Sequence, residues 1–349
     1  MRAQFEAWLH QTWAKRGLVS LALSPLSLLF LAISQTKRKK ATPKKLPIPV
    51  VVVGNIYVGG TGKTPVTIAL VRALEKKGWH PGVVSRGFGR KDETPHLVTP
   101  TGNVDRTGDE PLLIAQETRV PVCVARNRYQ AARTLMQAHP RVDIIISDDG
   151  LQHYALDRDV ELAVVGTRGL GNGWVLPAGP LRRPPSRLDE VDAIVLNTEN
   201  ETIVKSRTPR FATSSCFGSC SRLCDGRTMH IDALSQKIAQ ENATSLAAAG
   251  IAAPQRFFSM LRAHALTIDR LALPDHYDYR ENPFAHVTQD YIFITCKDAV
   301  KCAQHEVIRK DPRIWVVSLE VHLPSYLIDL VDEKARLAQQ QRTSQTKKQ

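Results

Sequence analysis

Six consecutive residues, Gly59-Gly60-Thr61-Gly62-Lys63-Thr64, combine the groups needed to hold a polyphosphate. The glycines let backbone N–H groups wrap the β- and γ-phosphates closely. Lys63 sets a fixed positive charge against the transferring phosphoryl, and the Thr64 hydroxyl is placed for Mg2+. An apolar β-branched run, Val50–Val53, leads into this loop. A helical stretch follows over about Pro65–Lys77, with Pro65 in its first turn and Gly78 at its end. The strict motif has glycine five residues ahead of Gly62; Tyr57 stands there, so the loop is a variant. Asp148-Asp149 follow a second apolar run, Val142–Ser147, and a carboxylate at such a strand end is where P-loop enzymes hold Mg2+ or its water. Three further polar clusters exceed the needs of a bare ATPase: Gly108-Asp109-Glu110-Pro111, Gln152-His153 and Asp275-His276-Tyr277. Taken singly, each reads first as a turn or a cap.

A sheet must position these groups. Strand-type runs at Val50–Val53, Gly82–Ser85, Val120–Val124, Val142–Ser147, Leu162–Val165 and Ala193–Asn197 alternate with helical patterns. That alternation argues an α/β fold, a P-loop kinase-like parallel sheet with helices on both faces. From about Pro209 to Met229 the pattern lapses into Ser, Cys, Gly and Arg. It resumes with strand Ser245–Gly250, helix Pro254–Ala263 and strands Tyr291–Thr295 and Trp315–Ser318, which read as a smaller α/β second lobe. The expected divisions are 1–45, a membrane-associated helix and basic linker; 46–208, the nucleotide-binding and catalytic domain; 209–229, a hinge; 230–325, the second lobe; and 326–349, a C-terminal helix and basic tail. Two domains suit a chain of 349 residues, and its last ten residues read as disordered.

The formal net charge of +13 is concentrated at the ends. Residues 1–45 carry +8, from Arg2, Lys15, Arg16, Lys37, Arg38, Lys39, Lys40, Lys44 and Lys45 against Glu6. Arg342, Lys347 and Lys348 add +3, which leaves the body nearly neutral. A basic groove for nucleic acid is therefore not expected. Between Arg16 and Lys37 there is no charge, and Leu18 to Ile33 is mostly apolar, near the ~20 residues that span a bilayer. Ser20, Ser24, Ser27 and Pro25 weaken that reading, and both flanks are basic. A helix lying in the membrane interface or only partly inserted, its lysines facing anionic lipid, fits better than a firm span. Six cysteines in a chain this long do not suggest a disulfide framework. Cys216, Cys220 and Cys224, with His230 beyond, match no common zinc spacing and read as reduced thiols in a connecting loop.

Together the polar clusters resemble one family, the tetraacyldisaccharide 4'-kinases of lipid A biosynthesis. The stretches that carry the resemblance are Gly54-Asn55 with Gly59–Pro65, Ser85–Arg90, Gly108–Pro111, Asp148–His153, Leu176–Arg182 and Pro274–Tyr277. They lie in matching order over most of the chain from 50 to 320. The resemblance implies transfer of the ATP γ-phosphoryl to the 4'-hydroxyl of an acylated glucosamine disaccharide 1-phosphate on the cytoplasmic face of a bacterial inner membrane. It implies two α/β lobes joined by a two-stranded hinge, with ATP and lipid meeting at the cleft, and no obligate protein partner. It also implies Asp109 as general base with His276 orienting it, Lys63 and Thr64 at nucleotide and Mg2+, Asp148 and Asp149 as the strand-end acids, and Arg128, His153 and Arg182 lining the cleft. Three residues depart from the family pattern: Phe88 stands for a usual Tyr, Arg183 for a Glu after Arg182, and Cys296 for a Glu ahead of Lys297-Asp298-Ala299-Val300.

Two rivals follow from the loop alone. A P-loop ATPase of the partitioning or metal-insertion type shares the Gly-Gly-x-Gly-Lys-Thr core but uses a lysine just ahead of the glycines, where this chain has Val58. A non-enzymatic, membrane-bound nucleotide-binding module would leave Asp109 and His276 without employment. Under any catalytic reading, Lys63→Ala should lower turnover by orders of magnitude, because the transition state loses its fixed counter-charge. Steady-state ATP turnover measures this, and near wild-type activity would remove the phosphate-loop argument.

Overall fold

Val50 to Val53 present apolar side chains to both faces of a strand, and the fold buries both. In the computed structural model, which describes residues 12–90, 92–198 and 203–346, this run is β1 (Val50–Gly54). Val51 and Val53 pack with Leu70, Leu112 and Ile144 on one side. Val50 and Val52 pack with Leu135, Ile145 and Leu196 on the other. A strand covered on both faces reads as a continuous apolar run, and each buried valine contributes about 1.5–3 kcal/mol. Arg2, Glu6, Lys347 and Lys348, counted above in the charged ends, lie outside the described residues.

Around β1 the first sheet adds β2 (Pro81–Ser85), β3 (His96–Val98), β4 (Val122–Val124), β5 (Ile144–Asp148), β6 (Val160–Gly166), β7 (Ala193–Asn197) and β8 (Arg210–Ala212). Their order is β3-β4-β2-β5-β1-β6-β7-β8, parallel except at β3. Its helices among the described residues include α1 (Leu18–Lys40), α2 (Lys63–Lys76), α3 (Val104–Thr107), α4 (Asp109–Thr118) and α5 (Arg128–Ala138). The second sheet comprises β9 (Ser214–Arg222), β10 (Thr228–His230), β11 (Ser245–Ala249), β12 (Asp269–Ala272), β13 (Tyr291–Thr295) and β14 (Ile314–His322), in the order β10-β9-β14-β13-β11-β12. Its helices are α6 (Ile231–Gln240), α7 (Pro254–Ala263), α8 (Cys296–Cys302) and α9 (Glu306–Arg309), and α10 (Ser325–Thr346) ends the described chain.

Two expectations change. The stretch 209–229, whose composition reads as a connecting loop, holds β8, β9 and the first two residues of β10, and β9 runs antiparallel to β14 with a bulge that sets Gly218 and Ser219 opposite Ser318. The bulge also separates the cysteines. Cys220 is buried, Cys216 is exposed, and Cys224 lies in the turn before β10, so they do not converge on one ion. The last ten residues, expected to be disordered, are helical as far as Thr346. Leu327, Val331 and Ala335, spaced by four, anchor α10 to the first sheet. Arg342 is buried, and its guanidinium binds both oxygens of Asp159 at 3.0 and 2.8 Å.

The residues that weaken α1 as a membrane span also have structural explanations. Ser20 accepts a hydrogen bond from Asn172 at 3.2 Å. Ser27 accepts from the Ala178 N–H at 3.0 Å and donates to the Val175 carbonyl at 2.9 Å. Pro25 has no N–H for the Leu21 carbonyl, and the Ser24 hydroxyl donates to it instead at 2.7 Å. One face of α1 is thus pinned to the body, while Leu18, Leu21, Leu26, Leu28 and Leu29 on the rest are exposed. Such a face is expected to enter lipid, where each leucine is worth about 1.5–3 kcal/mol. The protein should therefore stay with membranes in high salt and leave with detergent. Leu21→Asp combined with Leu28→Asp should move it to the soluble fraction. Release of the wild type by salt alone would show attachment through charge only.

Candidate active site

The phosphate loop is held from both ends by Asn55. Its Nδ2 donates to Thr61 Oγ1 at 3.0 Å and to the Gly59 carbonyl at 3.3 Å. Gly62, at φ 84°, enters α2 in a left-handed conformation. A Cβ there would also collide with Asn197 Nδ2, which donates to the Thr61 carbonyl at 3.1 Å. Glycine is required on both counts. Arg256, from α7 of the second lobe, donates to Asn197 Oδ1 at 2.8 Å, so both lobes brace the loop. The cleft over it is lined by Lys63 and Thr64 below and by Phe217, Phe257, Met260 and Leu319 of the second lobe above. An apolar wall opposite a phosphate cradle suits a nucleotide base.

Register places the strand-end acids. Val53 of β1 pairs with Asp148 of β5, beside the start of the loop. Asp148 is fully buried and takes one hydrogen bond, from Thr67 Oγ1 to Oδ1 at 3.1 Å. Its Oδ2 has no hydrogen-bond partner. Burial and the nearby Glu110 charge push its carboxyl well above the usual range. Asp149, at φ 48°, behaves in the opposite way. Burial pushes it up, but Lys63 Nζ at 3.7 Å and Arg182 at 3.1 Å outweigh that and hold it below the usual range.

Asp109 opens α4 behind Gly108, whose φ of 82° and close approach to Gly87 leave no room for a side chain. Only 4% of Asp109 is exposed, yet it stays ionised. Burial pushes its carboxyl up, but the hydrogen bond from His276 and the charges of Lys297 and Lys301 carry it far below the usual range. His276 Nδ1 lies 2.8 Å from Asp109 Oδ2 and Lys301 Nζ 3.0 Å from the same oxygen, while the Glu110 N–H donates to Oδ1 at 2.9 Å. Lys297 Nζ, 3.3 Å from His276 Nε2, donates to that nitrogen, which puts the ring proton on Nδ1 facing Asp109. His276 sits at φ 60°, and its N–H donates to the Gly250 carbonyl at 3.2 Å.

The remaining sequence candidates gather around Asp149. Arg182 grips both its carboxylate oxygens, at 3.2 and 3.1 Å, and Arg128 donates to its carbonyl at 3.4 Å. Burial lowers Arg128 to about 10, so it remains a cation. His153 Nε2 accepts the Arg128 backbone N–H at 3.3 Å. Burial, together with Arg128, Arg158 and Arg86, brings His153 to about 4, so it is neutral at pH 7. Phe88 is exposed, its ring 5.5 Å from that of His276. Arg183 does not face the cleft: it turns away from Arg182, donates to the Ser34 carbonyl of α1 at 3.1 Å and stacks on Tyr154. The Cys296 thiol is pushed up to about 12 by burial and is inert. Sequence reasoning left Lys297, Lys301, Glu110 and Asn197 without roles. The four-residue spacing of the two lysines on α8 was the available signal.

Asp148 carries a stability signature. Its folded pKa lies above an unfolded value near ~3.9. Stability tied to this group is therefore fully present below the unfolded pKa and lost as pH rises through the folded one. In chelator at pH 8, Asp148→Asn should raise Tm by about 2 °C or more, and the gain should vanish near pH 4. Calorimetry across that range tests it; an unchanged or lower Tm at pH 8 would contradict the burial argument.

Residues 19–336 match the family described as Tetraacyldisaccharide-1-P 4'-kinase. The Tetraacyldisaccharide 4'-kinase of Janthinobacterium sp. (strain Marseille) is 47% identical over 343 residues, covering 96% of this chain and 97% of that protein. The protein of the same name from Herminiimonas arsenicoxydans is 45% identical, with the same coverage. The crystal structure of LpxK from Aquifex aeolicus in complex with ATP superposes with a TM-score of 0.75 at 26% identity, covering 91% of this chain and 99% of that one. Sequence, fold and loop agree, and the chain belongs to the tetraacyldisaccharide 4'-kinase family.

Proposed function

We propose that this chain transfers the γ-phosphoryl of ATP to the 4'-hydroxyl of a tetraacylated glucosamine disaccharide 1-phosphate, using Asp109 as the proton acceptor. The observation that carries this reading is the Asp109–His276 contact between the lobes, whose chain neighbours Glu110 and Asp275 line the cleft over the phosphate loop. An ATPase that hands its phosphoryl to water has no need of it.

The 4'-oxygen forms its bond to the γ-phosphorus as the bond to the β–γ bridging oxygen breaks, and ADP leaves. The hydroxyl proton passes to Asp109. Oδ2 is already occupied by His276 and Lys301, whereas Oδ1 accepts only the Glu110 N–H, so Oδ1 has a lone pair for the sugar hydroxyl. A carboxylate held at low pKa is a weak base. In a loose phosphoryl-transfer transition state the proton leaves late, so placement outweighs basicity. His276 fixes that placement. Lys63 supports charge on the γ-phosphoryl, and the Gly59–Gly62 backbone cradles it. Arg128, His153 and Arg182 line the acceptor side.

The residues present suit Mg2+: Asp148 offers a buried oxygen with no partner, and Thr64 is buried in the first turn of α2, three residues before the Thr67 that binds Asp148 Oδ1. Thr64, Asp148 and Asp149 would hold the ion. When bound, it would neutralise the β- and γ-phosphate charge. The exposed apolar face of α1 and the basic run Lys37 to Lys40 at its end support a position on the cytoplasmic face of the inner membrane, where the acylated acceptor resides.

The decisive assay incubates purified protein with labelled ATP and detergent-dispersed tetraacyldisaccharide 1-phosphate. A bisphosphorylated lipid is expected; ATP hydrolysis without acceptor phosphorylation would overturn the reading. Within that assay Asp109→Ala and His276→Ala should each lower kcat strongly, by about a hundredfold or more, with ATP affinity near normal. Groups acting as one unit are non-additive, so the double variant should be scarcely worse than Asp109→Ala. Losses that simply multiply would show that the two residues act independently.

A further inference from the structure

The cysteines that the phosphotransfer reading leaves aside point to a second site. Cys216 of β9 pairs directly with Glu320 of β14, and His322 lies two residues further along β14, on the same face. One ligand atom from each of the three side chains lies within 4.8 Å of the other two. Cys216 Sγ stands 3.4 Å from His322 Nε2. In a tetrahedral zinc site, Zn–S and Zn–N bond lengths put those two atoms about 3.5 Å apart, so this edge of the coordination shell is already formed. Gly218 contributes by having no side chain: a Cβ there would collide with the Glu320 carboxylate. All three ligand residues are exposed, which leaves an open path for an ion and room for a water ligand.

Thiol, imidazole and carboxylate together select a borderline-soft divalent ion, not Mg2+ or Ca2+, which take oxygen ligands. We propose that Cys216, Glu320 and His322 bind an ion of the zinc class, with water as fourth ligand, and so tie β9 to β14. On binding, the Cys216 thiol becomes a thiolate and releases one proton to solvent. The location gives the site a consequence. β9 starts just after β8 of the first sheet, and β14 ends just before α10 returns there, so this end of the ribbon is where the chain passes between lobes. The neighbouring pair, Phe217 and Leu319, lines the nucleotide cleft from the ribbon's other side.

The proposal does not depend on the kinase reading, and cobalt tests it directly. Full-length protein stripped with chelator is titrated with Co2+ and followed by absorption. One equivalent should give a thiolate-to-cobalt charge-transfer band that Zn2+ abolishes. Oxygen ligands such as Asp148 cannot produce that band. Cys216→Ser should lack it, His322→Ala should bind at least about tenfold more weakly, and Cys224→Ser, which alters the other exposed cysteine, should behave as wild type. Thermal melts confirm that the variants fold, as expected for exposed positions. Absence of the band in folded wild type, or its survival in Cys216→Ser, would overturn the site.

Discussion

One buried carboxylate governs how the two lobes meet. Asp109 belongs to the first lobe, and His276, Lys297 and Lys301, which keep it ionised, belong to the second. Burying an ion costs several kcal/mol unless its lone pairs and charge are met. Separating the lobes would part Asp109 from His276, Lys297 and Lys301, the groups that meet its charge. Charge compensation and lobe closure are therefore one equilibrium. The Arg256–Asn197 bond applies the same logic to the phosphate loop, because it too crosses between lobes. The acidic groups then divide by whether they are satisfied. Asp109 and Asp149 have cationic partners, while Asp148 retains a buried oxygen with none, the state of a carboxylate that a cation would complete.

Backbone geometry concentrates at the same place. His276 and Asp149 both adopt positive φ, a conformation that costs a non-glycine residue about 1–3 kcal/mol. Each is over-determined by its surroundings: His276 by the Gly250 carbonyl and Asp109, Asp149 by Arg182 and Arg128. The strain is local, and it is carried by loops that leave rigid parallel strands. Gly62 and Gly108 solve the same steric problem without a side chain, which is why the motifs around Lys63 and Asp109 are built on glycine.

How much of this the sequence revealed depended on whether the cause was local. Strands buried on both faces, such as β1 and β5, announce themselves as apolar runs, and the phosphate loop is contiguous. No local pattern marks β9, because its polar composition suits a half-exposed antiparallel strand and its partner β14 lies about a hundred residues further along. Arg342 looked like part of a basic tail because its partner, Asp159, is 183 residues away. Lys297 and Lys301 could be read as a helical pair, but their purpose depends on Asp109 and Glu110 across the cleft. Resemblance to a family supplied the Asp109–His276 pairing, which no local pattern carries over a separation of 167 residues.

The serines of α1 show the same dependence and connect the helix to the chemistry. Ser20, Ser27 and Ser34 recur every seven residues, so they share one face and span about 21 Å of helix at 1.5 Å per residue. Each meets the body, the first two through their hydroxyls and Ser34 through its carbonyl, which accepts from Arg183. A helix bound to the body along that length is held against the fold on one face, so its exposed leucines form an apolar ridge on the outside of the protein. Arg182, next to Arg183, points the other way and grips Asp149 beside the phosphate loop. One peptide unit therefore joins the apolar helix to the phosphoryl-transfer site. The fold thus fixes the spacing between the apolar ridge and the phosphate loop, and under the proposed function that spacing would let an acceptor keep its acyl chains in lipid while presenting its sugar hydroxyl.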